Sequence, residues 1–349
     1  MNIAVLGFAH GHVGVYCEQW RTHFADDARL VAGWDHDAQR AATAHAKFAI
    51  EIMASPDALL RRDDVDAVII GAETSMHADL VERAAAAGKA IVLQKPLCLT
   101  LAEADRIVAA VKLHDVPFTL AWQMRVDPQN IEMKRLIEHG IVGPVYMVRR
   151  RHGLSTHVWP GFENTWHVRP ELNRGMWADD AAHAIDFLLW LFDGSVGEPE
   201  SVIAEIATLR SPRVPDDHGI AVFRYADGTF AEVACSFACL AGENTTEIVG
   251  EEGVIVQNYG DGPSCQVPHP PTGLKWFTRG AKDWTVSPIA SPAAHGQRIA
   301  ALAPELLRFL KRERPPICTV EEGRASLRMT LACYRSADLG RRVRMDEIT

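Results

Sequence analysis

The chain has 349 residues, 48% apolar and 23% charged, with a net charge of −9. At roughly 100 to 200 residues per domain that suffices for two cores; no run nears the roughly 20 apolar residues of a membrane-spanning helix, and a negative balance without a basic block disfavours nucleic acid. Seven cysteines, an odd number without a C-x-x-C pair, argue against a disulfide framework or thiolate zinc site and for a reducing, cytoplasmic compartment.

Apolar runs at 3–6, 30–34, 65–70, 90–93 and 118–122 alternate with alanine-rich stretches of helical spacing. The first is too short for a secretory h-region and reads as a buried strand. Strand and helix in alternation build a parallel sheet covered on both faces, whose ligands bind at the carboxyl ends of the strands.

The first turn, from Gly7 to Gly14, reads G-x-x-x-G-x-x-G and departs from G-x-G-x-x-G. Either the loop is one residue wider, or Ala9 and His12 take the second and third glycine positions. Both readings present backbone N–H groups at a helix N-terminus, where a pyrophosphate is stabilised. Gly7, Ala9, His10, Gly11, His12 and Val13 are the candidate contacts; His10 and His12 are either phosphate donors or a surface pair.

Asp35 ends the second run, where a carboxylate can accept from both ribose hydroxyls and repel a 2′-phosphate. NAD is therefore favoured over NADP, with Arg40 one turn further on as the residue able to rescue the phosphorylated cofactor. Beyond the run at 65–70, Ala72 and Glu73 lie in a strand-end loop and are candidate cofactor contacts. Thr74 or Ser75 is expected to cap a helix over 78–87, with His77 in its first turn, either lining the cofactor or without a catalytic role. Gln94, Lys95 and Pro96 follow the fourth run, Gln94 and Lys95 as further candidate cofactor contacts.

From about residue 125 the pattern changes to alternating strands, with hairpin signals at Asp227-Gly228 and around 251–253. The basic clusters 149–151 and 341–344 continue apolar alternations and read as solvated strand faces. Between the strand ending near His152 and the apolar stretch at 178–192 lies a long loop in which Trp166, His167 and Arg169, with Trp159 and His157, suit a polyhydroxylated ligand or an interface. Residues 178–192 are nearly all apolar and predict a buried helix capped by Asp179 or Asp180 and ended by Gly194. Asp179 and His183, at i and i+4, are expected to share a face, with Asp186 one turn beyond. An imidazole oriented by one carboxylate accepts a proton on its free nitrogen; a capped helix with a core histidine is the bland alternative. A metal reading on Asp179, His183 and His167 or His218 is not favoured. Residues 261–292 read as a Pro/Gly/Ser-rich loop.

Taken in order, residues 64–70, His77, 87–93, Gln94-Lys95-Pro96, 137–145, 319–323 and 334–343 resemble the glucose-fructose oxidoreductase / inositol dehydrogenase (Gfo/Idh/MocA) family over nearly the whole chain. That resemblance implies an α/β Rossmann domain, doubly wound on a mostly parallel sheet, over 1–123. An α+β domain with a large open, mostly antiparallel sheet follows over 124–349, its last helix (about 320–340) packing back on the first. It implies a nicotinamide cofactor (NAD) and a small sugar, polyol or cyclitol substrate. It also implies catalytic Lys95, Asp179 and His183, and a homodimer or homotetramer formed through the second sheet. Two departures stand out. Gln94 replaces the family's glutamate, so the ammonium form of Lys95 loses a carboxylate neighbour; and Arg174-Gly175-Met176-Trp177 replaces a run of glycines, predicting a bulkier pocket floor. A redox-neutral lyase, epimerase or glycosidase using tightly held NAD and a non-catalytic ligand sensor are the alternatives.

Overall fold

The computed structural model describes residues 1–193, 197–209, 214–240, 242–258, 273–292 and 294–349. The expected helix exit at Gly194, Cys265 and the 261–272 part of the expected loop lie outside them. The chain divides into two compact units: Met1–Gln123 with Glu171–Asn173 and Ile299–Leu327, and Met124–Pro170 with Arg174–Arg298 and Arg328–Thr349.

In the first unit β1 (Asn2–Leu6), β2 (Arg29–Trp34), β3 (Glu51–Ile52), β4 (Ala67–Ile70), β5 (Ala90–Gln94) and β6 (Phe118–Ala121) form one parallel sheet in the order β3-β2-β1-β4-β5-β6. The five apolar runs became strands; β3 was not foreseen, because two residues leave no periodicity to read. Helices α1 (Gly11–His23), α2 (Ala38–Phe48), α3 (Pro56–Leu60), α4 (His77–Ala86) and α5 (Leu101–His114) connect them. A sheet whose strand is alanine, valine and isoleucine buried throughout, as in β4, has both faces covered. The strand order reverses beside β1, which opens a crevice at its carboxyl end.

The second unit contains α6 (Pro128–Glu138), β7 (Val145–Gly153), α7 (Pro170–Asn173, of which only Pro170 belongs to this unit), α8 (Ala182–Leu191), β8 (Ser201–Ala207), β9 (His218–Arg224), β10 (Phe230–Ser236), β11 (Thr245–Gly250), β12 (Gly253–Asn258), β13 (Gly273–Thr278), β14 (Thr285–Val286) and β15 (Val343–Arg344). Its sheet runs β14-β13-β12-β11-β7-β10-β9-β8-β15 and is antiparallel except between β7 and β10. Both predicted hairpins are present, β9/β10 and β11/β12. Helices α9 (His295–Ala300), α10 (Leu302–Leu310) and α11 (Val320–Leu339) close the chain.

Register sorts side chains between the two faces of this sheet. Residues opposite one another share a face: Val148, Val233, Ala221 and Ile248 point inward with Arg150, while Arg149, Glu232, Val222 and Glu247 share the other. The cluster at 149–151 is thus not a uniform solvated face. Arg150 is buried, donates to Thr246 Oγ1 at 2.8 Å and lies over the Phe187 ring of α8. Among the described residues no helix is long and apolar enough to cross a membrane.

Candidate active site

The turn after β1 is built by close backbone approach. Gly7 has φ +89°, and a Cβ there would lie 2.5 Å from the Ala72 backbone; at Gly71 it would lie 2.2 Å from Val13 Cγ2. These two positions need glycine because the strand ends nearly touch. His10 caps α1, its Nδ1 accepting from His12 N–H at 3.3 Å, and its own N–H donates to Gly71 O at 2.9 Å. A buried cap replaces the surface pair that was one reading of His10 and His12. Val13 packs against Gly71 and its N–H is bonded to His10 O, so its side chain belongs to the core. Gly11, at the first turn of α1, has nothing within 4 Å of where a Cβ would stand. An open helix N-terminus beside packed strand ends fits the phosphates of a dinucleotide.

At the other end of this crevice Asp35 accepts from Phe8 N–H at 2.7 Å and Asp37 N–H at 2.8 Å. Arg40 adds Nε and Nη2 bonds of 2.9 to 3.2 Å and reaches Glu73 Oε1 at 2.8 Å. Asp35 is therefore already engaged by four donors, and the guanidinium expected to serve a phosphorylated cofactor is held by two carboxylates. Burial draws the Arg40 pKa down, but its bonds to Asp35 and Glu73 prevail and raise it.

Neither Thr74 nor Ser75 caps α4. Thr74 and Met76 bound a 3₁₀ turn, α4 starts at His77 without a side-chain cap, and Thr74 Oγ1 donates to Asn173 Oδ1 at 3.0 Å. His77 is a strut: Nδ1 lies 2.9 Å from Pro96 O and 3.2 Å from Leu97 O, and Nε2 lies 3.2 Å from Ala72 O. Its ring ties the loop after β4 to the loop after β5, and burial lowers its pKa. Gln94 Nε2 donates to Tyr16 OH at 3.4 Å while its Oε1 accepts from Lys95 N–H at 3.0 Å. Lys95, at the end of β5, is 2% exposed.

In the second unit the predicted helix start is altered. Trp177–Ala181 form a π-helical turn and α8 begins at Ala182, with no side-chain cap at either start. The wider turn rotates the two aspartates relative to an α-helical i, i+4 arrangement. Asp179 meets His167, Nδ1 to Oδ2 at 2.5 Å, from the loop after β7. His167 stacks on Trp166 at 4.0 Å and on Phe162 at 5.8 Å. His183 Nε2 lies 3.8 Å from Asp180 Oδ1, and its ring sits 6.2 Å from that of His152. Asp186, one turn beyond His183 on α8, takes a two-pronged bond from Arg125, 2.9 and 2.8 Å, with both side chains 1% exposed.

The sequence reading missed Arg125 and His152, and took Asp180 only as a helix cap. Strand parity is the signal that could have found His152, since it falls on the same face as Arg150. Met176 and Trp177 are fully buried, and Trp177 packs where a Cβ on Gly219 would lie 2.4 Å from its ring. They fill the core rather than floor a pocket. Arg169 is exposed and Trp166 buried. Lys95 belongs to the first unit, while Asp179, His183, Trp166, His167 and Arg169 belong to the second.

Residues 1–121 match the model of an oxidoreductase family with an NAD-binding Rossmann fold, and residues 131–256 match that of the GFO/IDH/MocA C-terminal domain. Among curated proteins, the myo-inositol 2-dehydrogenase of Thermotoga maritima is 24% identical over 367 aligned residues, covering 100% of this chain and 99% of the relative. The D-apiose dehydrogenase of Paraburkholderia graminis is 29% identical over 242, covering 68% and 62%. A solved levoglucosan dehydrogenase in complex with NADH and levoglucosan shares the fold with a TM-score of 0.81 at 20% identity, covering 99% of each chain.

Proposed function

The chain belongs to the Gfo/Idh/MocA oxidoreductase family, with an NAD-binding Rossmann domain, and from there we propose that it oxidises or forms a secondary alcohol of a sugar, polyol or cyclitol. The carrying observation is Lys95, an amine-bearing side chain 2% exposed at the carboxyl end of a sheet strand in the nucleotide-binding unit. Bound NAD supplies the hydride acceptor. Lys95 Nζ holds the substrate hydroxyl oxygen and stabilises its developing alkoxide character. His183, buried on α8, takes the hydroxyl proton. Asp179 fixes His167, and the Trp166–His167 stack presents an aromatic wall to the C–H faces of a sugar, with Arg169 at its rim. The relatives named for inositol, apiose and levoglucosan support this substrate class.

The test is absorbance at the reduced-nicotinamide band across polyols, inositols and aldonic acids. At least one of them should yield NADH stoichiometrically, with kcat falling by about 10²- to 10⁴-fold in Lys95→Ala and His183→Ala. Undiminished turnover in both variants rejects the assignment; product without free NADH points to a redox-neutral reaction instead.

The outer face of the second sheet is read as the surface through which copies assemble into a dimer or tetramer. Ile203, Ile220 and Phe230 stand on it 41, 42 and 44% exposed, a cost that a second copy removes. The chain is assigned to the cytoplasm, whose reducing conditions suit thiols such as Cys17, buried and pushed up to about 12.

A further inference from the structure

We propose that Glu73 sets the cofactor preference of this chain by locking Arg40 onto Asp35 and away from a 2′-phosphate. The proposal rests on the reading of the first unit as an NAD site. Its three residues come from separate elements: Asp35 follows β2, Arg40 lies in the first turn of α2, and Glu73 lies in the loop after β4. All converge at the carboxyl ends of the strands, where the adenosine half of a dinucleotide is held.

The lock is geometric. Arg40 Nη2 sits 2.9 Å from Asp35 Oδ1 and 2.8 Å from Glu73 Oε1, so one nitrogen bridges both carboxylates, while Nε spans both oxygens of Asp35. The carboxylate side chains are 0% and 3% exposed and Arg40 is 27% exposed. His36 Nδ1 stands 3.7 Å from each carboxylate, beyond hydrogen-bond reach.

Charge decides what this cluster accepts. Two carboxylates and one guanidinium leave one net negative charge with His36 neutral. A phosphate monoester, about −1.5 to −2 at pH 7, is repelled by it, and the planar fork that would receive it is turned inward. A 2′-hydroxyl carries no charge and meets no such penalty. Without the Glu73 charge, Arg40 keeps Asp35 alone, the pair is neutral, and the Nη2 hydrogen released from Glu73 is available to phosphate.

Fluorescence or calorimetric titration of the full chain with NADH and with NADPH tests this. The wild type is expected to bind NADH more tightly. Glu73→Gln should raise NADPH affinity by about tenfold and leave NADH within about threefold, and Glu73→Gln with Arg40→Gln should erase the gain. A purely structural role for Glu73 would weaken both nucleotides together and overturn the proposal. So would an unchanged NADPH-to-NADH ratio, a gain that survives loss of Arg40, or a wild type that prefers NADPH. If Glu73→Gln does not fold, Glu73→Asp, one methylene too short to hold the bridge, is expected to give a smaller gain in the same direction; no shift in its ratio overturns the idea. A wild type that binds neither nucleotide overturns the reading of the first unit, and the proposal with it.

Discussion

The His77 ring is wedged among three backbone carbonyls, and burial holds its folded pKa below the ordinary value of 6.5. The unfolded chain therefore binds the proton first as pH falls. The stability contributed by neutral His77 is complete above about pH 6.5 and is lost as pH drops toward the folded pKa, with a slope of up to about 1.4 kcal/mol per pH unit. Thermal melts from pH 7.5 to 5.5 should show a decline in Tm that is shallower in His77→Gln; parallel curves would remove His77 as the cause. Gly7 is a second local constraint. Its φ of +89° and the 2.5 Å approach to Ala72 predict that Gly7→Ala destabilises the first unit by about 2 to 3 kcal/mol, read by urea titration. Glycine there was legible in the sequence, because a nucleotide turn demands it. The role of His77 was not: its partners are main-chain oxygens 5, 19 and 20 residues away, which carry no side-chain signature.

At the scale of elements, the strands of the first sheet could be read because β-branched and apolar residues run continuously through them, and the β9/β10 hairpin because Asp227-Gly228 marks its turn. The π-helical turn at Trp177–Ala181 could not. Its residues have helical spacing on paper, and only packing decides that the turn widens. The pairing of Asp179 with His167 was equally hidden, since His167 lies 12 residues upstream in an irregular loop. The same limit hid the pairing of Arg125 with Asp186, 61 residues apart. Removing one partner of an ion pair buried this deeply costs about 3 to 5 kcal/mol. Arg125→Met should therefore unfold the second unit at markedly lower denaturant, and Arg125→Met with Asp186→Leu should recover most of the loss. A double variant as unstable as the single one would show that Asp186 matters for something besides Arg125.

For the whole molecule, the two sheets differ in what they leave uncovered. The first is parallel and buried by helices on both sides, whereas the second has α8 against one face and an opposite face bearing Ile203, Ile220 and Phe230. Period-two alternation in the sequence announced this asymmetry, although it could not name what covers the outer face. Ile220→Asp with Phe230→Asp should shift the species seen by light scattering after size exclusion toward the monomer, with NADH binding retained. A wild type that is already monomeric, or a variant whose mass is unchanged, would dismiss the outer face as an assembly surface.

The arginine triplet of β7 has a practical corollary. Because successive side chains of a strand project to opposite sides, Arg149 is 54% exposed while its neighbour Arg150 is in the interior. A guanidinium-selective reagent followed by mass spectrometry should label position 149 while the second unit stays folded, and position 150 only when that unit opens. Adjacent residues in one peptide would then serve as separate clocks, one for the exposed surface and one for unfolding.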